Sequence, residues 1–467
     1  MVEASVEIEY DTGDSIAFTS ECSVCTVKRG ADPLTQRLVA RELPQDEQQS
    51  PNPNTDIEVP EDDPRSPLER FRTRRKRPMS VTDLVSPAWC ELQYFYSLAK
   101  YGRVKRTPAM RQGSRVHKVL EEEVHVVVPV EVTTSEDRFG LRIWNVIQGL
   151  RTLRATGMTR ELEVWGHVQG EVVNGVIDEL TYTCPDPAFE SALSSRKKSG
   201  RSKKQQKESE LPPDQTTLRG FLTGSQLEQP ISDSTVTTKQ DGKQVYIIDV
   251  KTRSSRSAPK DEVALRPTYM QLMLYRHLLL QLATDSVSAS KVFTRYHVDA
   301  DAVFSDLFIS QIAGLDQHSA TYQPFLDSDA DSDYRPSTSP TGEGNDPLSE
   351  LLAHNTLAEL WRLMARELAS AIPTVGSILR AEFRAATNGA VIGEKIFLHD
   401  DRRLETYVRD EIAWWKGERP ARGVDIEEAF KCRICSFAEH CDWRKEKVEE
   451  GIRKARLRQE ERKKSEV

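Results

Sequence analysis

Val245-Tyr246-Ile247-Ile248-Asp249-Val250-Lys251 decides the reading of this chain. The run is apolar on both faces until it reaches Asp249, the pattern of a central strand covered on both sides in an α/β domain. Residues two apart on a strand share a face, so Asp249 and Lys251 project together from its end. An acid and a cation left at the edge of a buried strand are costly unless they have work to do. A carboxylate there can hold Mg²⁺. The ammonium can polarise a water and offset charge on a pentavalent phosphorus.

Working outward, Gly175-Val176-Ile177-Asp178-Glu179 puts a second acid at the end of another apolar stretch, among short strands spanning residues 161–182. Two carboxylates converging on Mg²⁺ are the usual minimum for phosphodiester hydrolysis. Apolar-Asp-x-Lys alone is also common in ordinary strands. More residues join it. Gln271 and Tyr275 stand at i and i+4 on a helix expected over Tyr269 to Leu282, where Gln can donate to a phosphate oxygen and Tyr can brace it. Upstream, Gly113-Ser114-Arg115-Val116-His117 opens a helix expected from about Ser114 to Val124, with His117 and Glu121 again i, i+4 and either able to reach a metal. A lone histidine is more often structural; this one precedes two acids and a lysine in order.

Charge is unevenly spread. Residues 1–64 hold 15 acidic against 4 basic side chains, so the net −8 of the chain hides a mildly basic body. That body suits a nucleic-acid partner better than the overall pI of 5.8 does. Residues 1–79 read as a disordered acidic tail closed by a basic block, Arg70 to Arg77: a nuclear-import signal, a DNA-backbone contact or a soluble linker. The tail's acidity is unlike an organellar transit peptide. Order begins at Ser80-Val81-Thr82-Asp83, a helix start with Asp83 near the positive dipole end. One domain is expected over 80–445, with polar insertions at 185–243 and 325–349, a helical stretch over 350–386, and a charged helix or tail at 446–467. No apolar run is long enough for a membrane span. No P-loop is present, which argues against a helicase motor.

The seven cysteines are too few for a disulfide framework and are grouped: Cys22 and Cys25, Cys90, Cys184, then Cys432-x-x-Cys435-x5-Cys441. Three clustered thiolates are one short of a filled site. Cys90, in the first ordered helix, is the better fourth ligand; a zinc ribbon using Cys22 and Cys25, or a contribution from His440, stays open.

Taken in order, Gly-x-x-x-His, Gly-Val-Ile-Asp, Asp-x-Lys and Gln-x-x-x-Tyr resemble the RecB-like branch of PD-(D/E)XK nucleases. With the cysteine pattern, and with Ser80 to Leu84 and Trp89-Cys90-Glu91, the chain from about 79 to 445 resembles the exonuclease V family. The resemblance implies a restriction-endonuclease-like core: a central mixed sheet flanked by helices, with added helices and a [4Fe–4S] cluster on Cys90, Cys432, Cys435 and Cys441 tying the two ends together. It implies metal-site residues His117, Asp178 and Asp249 and catalytic Asp178, Asp249, Lys251, Gln271 and Tyr275; Glu121 joins the metal candidates on its spacing from His117 alone. It also implies Mg²⁺, with Mn²⁺ able to replace it, and a monomer that digests single-stranded DNA and could meet a single-strand-binding protein. The cellular role would be DNA repair or mitochondrial genome maintenance; the basic stretches Arg70 to Arg77 and Arg196 to Lys207 leave nuclear entry open. One departure is the long stretch between the two acids, tolerable if it leaves at a hairpin tip. Trp89, Tyr94, Trp414 and Trp415 could stack on bases or sit in the core. Two other readings are a nuclease subunit that depends on a helicase partner and a non-catalytic iron–sulfur DNA-binding protein.

Overall fold

In a computed structural model of the chain, residues 35–40, 63–72, 78–102, 104, 107–193, 195, 243–319 and 347–465 are described. Most of the tail, most of both expected insertions, Cys22, Cys25 and Arg74 to Arg77 lie outside them.

A strand in the expected tail is the first correction. β1 (Thr35–Ala40) buries Leu38 and is ordered by that burial despite its acidic surroundings. After α1 (Pro67–Phe71), Ser80 ends the short β2 (Met79–Ser80) and caps α2 (Val81–Val85), exchanging bonds with Asp83 in a capping box. A 3-10 turn, Ser86–Ala88, leads to α3 (Glu91–Tyr101), which stops at Gly102 with φ of +65°. α4 (Pro108–Glu122) starts earlier than Ser114, because Thr107 caps it and Pro108 pre-sets its first turn. β3 (His125–Val130) pairs in parallel with β1.

α5 (Ser135–Thr156) precedes the hairpin of β4 (Met158–Val168) and β5 (Glu171–Thr181), joined by Gln169 and Gly170 at φ of +49° and +89°. Both central residues at positive φ match the right-handed twist of the strands they connect. β6 (Gln244–Arg253) carries the opening sequence, and Val245 to Val250 are all buried. It pairs antiparallel with β5 from Glu179↔Ile248 to Thr181↔Tyr246, so the 182–243 segment leaves and returns at adjacent points.

α6 (Glu262–Ala283), α7 (Ala289–Tyr296), α8 (Asp306–Ser319), α9 (Pro347–Ala353) and α10 (Leu357–Ala371) follow. The helical stretch expected to reach residue 386 ends at Ala371. Pro373 cannot continue it, and the next segment is β7 (Thr374–Ala385), parallel to β6. β8 (Val391–Leu398) closes the sheet antiparallel to β7; α11 (Asp401–Trp415), a 3-10 segment (Ile426–Ile434) and α12 (Asp442–Ser465) complete the chain.

The result is a mixed α/β architecture. Its sheet runs β2-β5-β6-β7-β8, with β4 also on β5, and helices flank it. α4 lies on β6, α5 on β4, and α6 on β4, β6 and β7. Four of the buried leucines of α6, Leu272, Leu274, Leu278 and Leu279, are each 0% exposed. Burial of such a side chain contributes roughly 1.5–3 kcal/mol. That packing makes β6 a rigid platform, and the site lies where its pairing with β5 gives out.

Candidate active site and cysteine cavity

Asp249 is fully buried, and Lys251 on the same strand face turns its ammonium back to it, 2.9 Å from Oδ1 and 2.8 Å from Oδ2. Only the first contact is a hydrogen bond; Oδ2 has no hydrogen-bond partner among the described residues. Lys251 Nζ also donates to Gln271 Oε1 at 2.9 Å, and Gln271 Nε2 donates to Tyr275 Oη at 2.8 Å. The i, i+4 pair on α6 therefore orients the lysine. Burial pulls the Lys251 ammonium down, but the carboxylates of Asp249 and Asp178 outweigh it and raise its pKa. It stays charged at neutral pH.

Asp178 Oδ2 accepts the Val250 backbone N–H at 2.7 Å, joining β5 to β6 just beyond the last pair of their ladder. Burial, and then the neighbouring Asp249, push the Asp178 carboxyl up to about 7. His117 reaches the same corner from α4. Its Nδ1 lies 3.2 Å from Glu161 Oε1 and 3.8 Å from Asp178 Oδ1, and its Nε2 lies 3.2 Å from the Val250 carbonyl. Burial alone would lower the His117 pKa; Glu161 and Asp178 outweigh it and raise it.

His117, Glu161 and Asp178 can each offer a ligand atom, and these atoms lie within 4.8 Å of one another. Glu161 was not anticipated, because Arg160-Glu161-Leu162-Glu163 reads as an ordinary alternating strand. Its backbone marks it out. With φ of +52° it occupies the left-handed region, and the β4–β5 ladder steps over it from Arg160↔Glu179 to Leu162↔Ile177. That conformation costs a non-glycine residue on the order of 1–3 kcal/mol and persists only where the surroundings enforce it. The available signal was positional: Glu161 falls opposite Asp178 in the hairpin.

Glu121 does not join this group. It pairs with Arg37 of β1 at 2.8 Å instead, one helical turn away from His117.

The glycines of the motifs are close-approach positions. A Cβ at Gly113 would stand 2.8 Å from Thr252 Oγ1 of β6, and one at Gly175 would meet the Tyr275 ring at 2.7 Å and Val81 Cγ2 at 2.8 Å. Without them α4 could not bring His117 to β6, nor could α6 bring Tyr275 over β5.

At the start of α3, Cys90, Cys432, Cys435 and Cys441 line one cavity with Trp89 and Tyr96. All four are free thiols. Burial and the neighbouring thiols push Cys90 up to about 11. The C-terminal segment is also held there by polar bonds. Lys431 Nζ donates to the Trp89 carbonyl and to Glu428, each at 2.7 Å, and Glu91 Oε2 accepts from Arg419 at 2.8 Å and from the Arg422 backbone N–H at 2.7 Å.

Three of the four aromatics considered for base stacking are core. Tyr94 packs edge-on against Trp414 and Trp415 at 6.0 and 6.2 Å, the two indoles tilt against each other at 4.9 Å, and Tyr94 donates its hydroxyl to Asp83 at 2.7 Å. Arg72 of the basic block is spent on the same cluster, paired with Asp83 and lying over Trp415. Trp89 stays half-buried and lines a groove shared with Gln93, Tyr101 and the catalytic candidate Gln271.

Carboxylates and an imidazole gathered beside a charged lysine where the β5–β6 ladder ends form a site suited to hydrolysing phosphodiesters. The family model for exonuclease V, "a 5' deoxyribonuclease", matches residues 66–444, and the chain belongs to that family. Among curated relatives, exonuclease V of Danio rerio is 24% identical over 81% of this chain and 73% of its own length. The mitochondrial exonuclease V of Candida glabrata is 23% identical over 79% of this chain and 80% of its own. That of Eremothecium gossypii is 24% identical over 79% and 77%. The chain is accordingly a DNA nuclease of the exonuclease V type.

Proposed function

We propose that this protein digests single-stranded DNA from a 5′ end by Mg²⁺-dependent hydrolysis, on a PD-(D/E)XK core of the RecB-like branch. The observation that carries the reading is the convergence of His117, Glu161 and Asp178 with the Asp249–Lys251 pair at one corner of the sheet. The donor set fits a hard divalent cation. Oxygen donors predominate, and one carboxylate oxygen each of Glu161 and Asp178 lies within 4.8 Å of a His117 ring nitrogen, close enough to share one ion.

Asp178, Asp249, Glu161 and His117 would hold Mg²⁺, or Mn²⁺ in its place; bound there, the ion supplies an activated water and charge neutralisation at the phosphate. Lys251, charged and steered by Gln271, orients the attacking water and offers its ammonium to the phosphorane. Tyr275 keeps Gln271 in register. His117 keeps Nε2 on the Val250 carbonyl, which leaves Nδ1 facing Glu161 and Asp178, the nitrogen that would bind the ion.

The four cysteines fit a [4Fe–4S] cluster as part of the same reading. They share one cavity, yet no three of their sulfurs fall within 4.8 Å of one another among the described residues. Thiolates around tetrahedral zinc would sit roughly 3.8 Å apart. The names of the yeast-type relatives support action in mitochondrial DNA maintenance.

The test is digestion of end-labelled linear single strands beside single-stranded circles and blunt duplex, with and without Mg²⁺. Linear single strands should be consumed from the 5′ end, duplex slowly, circles hardly at all. Asp249→Ala and Lys251→Ala should lose at least ~10³-fold in rate while still binding DNA. Near-normal turnover in Asp249→Ala would sink the active-site assignment, and rapid nicking of circles would make the protein an endonuclease.

A further inference from the structure

The family match begins at residue 66, yet β1 lies upstream of it and is built into the core. Leu38 is 2% exposed, and the Asn145 side chain holds both its backbone groups, accepting from its N–H at 2.9 Å and donating to its carbonyl at 2.7 Å. Anchoring Leu38 on one face of β1 turns the adjacent Arg37 to the other. There Arg37 Nη1 donates to the Glu161 carbonyl at 2.7 Å, and Nε pairs with Glu121 at 2.8 Å. The carbonyl that Arg37 takes belongs to the residue that the β4–β5 ladder steps over, the one held at positive φ. One side chain thus ties together α4, which carries His117, and the irregular point of β4, which carries Glu161.

We propose that Arg37 is a positioning residue for the metal site: it holds Glu161 in its left-handed conformation, with the carboxylate on His117 and Asp178, so that β1 is a working part of the nuclease. The inference rests on the metal-dependent reading above. It differs from a purely structural role for β1 because it predicts a change in metal affinity rather than in stability or DNA binding.

The experiment is Mn²⁺ titration of the full chain by calorimetry and electron paramagnetic resonance, with Mg²⁺-dependence of digestion measured in parallel. Arg37→Ala should weaken Mn²⁺ binding by roughly 10-fold or more, the usual effect of losing a residue that orients a ligand. The Mg²⁺ concentration for half-maximal rate should rise in step, with kcat at saturating Mg²⁺ and single-strand binding in EDTA close to wild type. Glu121→Gln, which removes the ion pair but leaves the bond to Glu161, should shift Mn²⁺ affinity less. Should Arg37→Ala fail to fold, Arg37→Lys, too short to serve both acceptors, decides on the same criteria. Wild-type Mn²⁺ affinity in the Arg37 variant, with affinity lost in Asp178→Ala, overturns this inference alone. Affinity retained in Asp178→Ala as well overturns the metal-site reading beneath it.

Discussion

Asp178 and His117 share a corner that concentrates protons as well as ligands. Burial and Asp249 raise the Asp178 carboxyl to about 7, and Glu161 with Asp178 raises His117. A group whose pKa is raised on folding stabilises the fold below its unfolded value, near 4 for Asp and 6.5 for His, and loses that contribution as pH climbs through the folded value. Metal-free protein should therefore be more stable at pH 6 than at pH 8. A cation must displace the same protons, so its stabilising effect should run the other way and grow with pH. Thermal midpoints with and without Mg²⁺ at pH 6, 7 and 8 check this. An Mg²⁺ increment that does not change with pH would show that neither group gives up a proton on binding.

At the scale of elements, the site depends on how closely α4 and α6 approach the strands. Gly175 lets Tyr275 and Val81 cover β5: a Cβ there would stand 2.7 Å from the Tyr275 ring edge and 2.8 Å from a Val81 methyl, too close for either. Gly175→Ala should cost about 1–3 kcal/mol, the usual penalty for overpacking. The displaced Tyr275 should also loosen Gln271 and with it Lys251, so activity should fall by more than stability alone explains. Chemical denaturation beside single-strand digestion separates the two; full activity in a destabilised Gly175→Ala would mean that the Tyr275–Gln271 brace is not needed. The same scale explains two misjudged boundaries. Pro373 ends a helix that apolar spacing alone would have continued, and Thr107 with Pro108 starts α4 ahead of Ser114.

For the whole molecule, the junction between α3 and the C-terminal segment brings residues more than 300 positions apart into contact through Lys431, Glu91 and Arg419. A cluster on Cys90, Cys432, Cys435 and Cys441 would add a cross-link to those bonds. Anaerobically purified protein should be brown and contain iron, and Cys90→Ser or Cys432→Ser should bleach it and lower its thermal midpoint. Cys184→Ser, away from that cavity, should do neither. Stoichiometric zinc without iron would overturn the cluster, while the Lys431 and Glu91 bonds would still hold the junction.

The sequence by itself determined the class of this fold and which of the candidate site residues share a face. A strand apolar on both faces can only be a covered one, and Asp249 and Lys251 two residues apart must share a face. Gln271 and Tyr275, a helical turn apart, must do the same, and local geometry fixes each of these relations. Only the tertiary structure decided what depends on distant partners. Glu161 looks like any solvent-facing strand acid until the ladder steps over it beside Asp178. Glu121, correctly spaced from His117, was taken by Arg37, a residue from the acidic leader that composition assigned to disorder. Tyr94, Trp414 and Trp415 fill core instead of awaiting bases, because burial depends on what packs against a ring, and no local pattern encodes that.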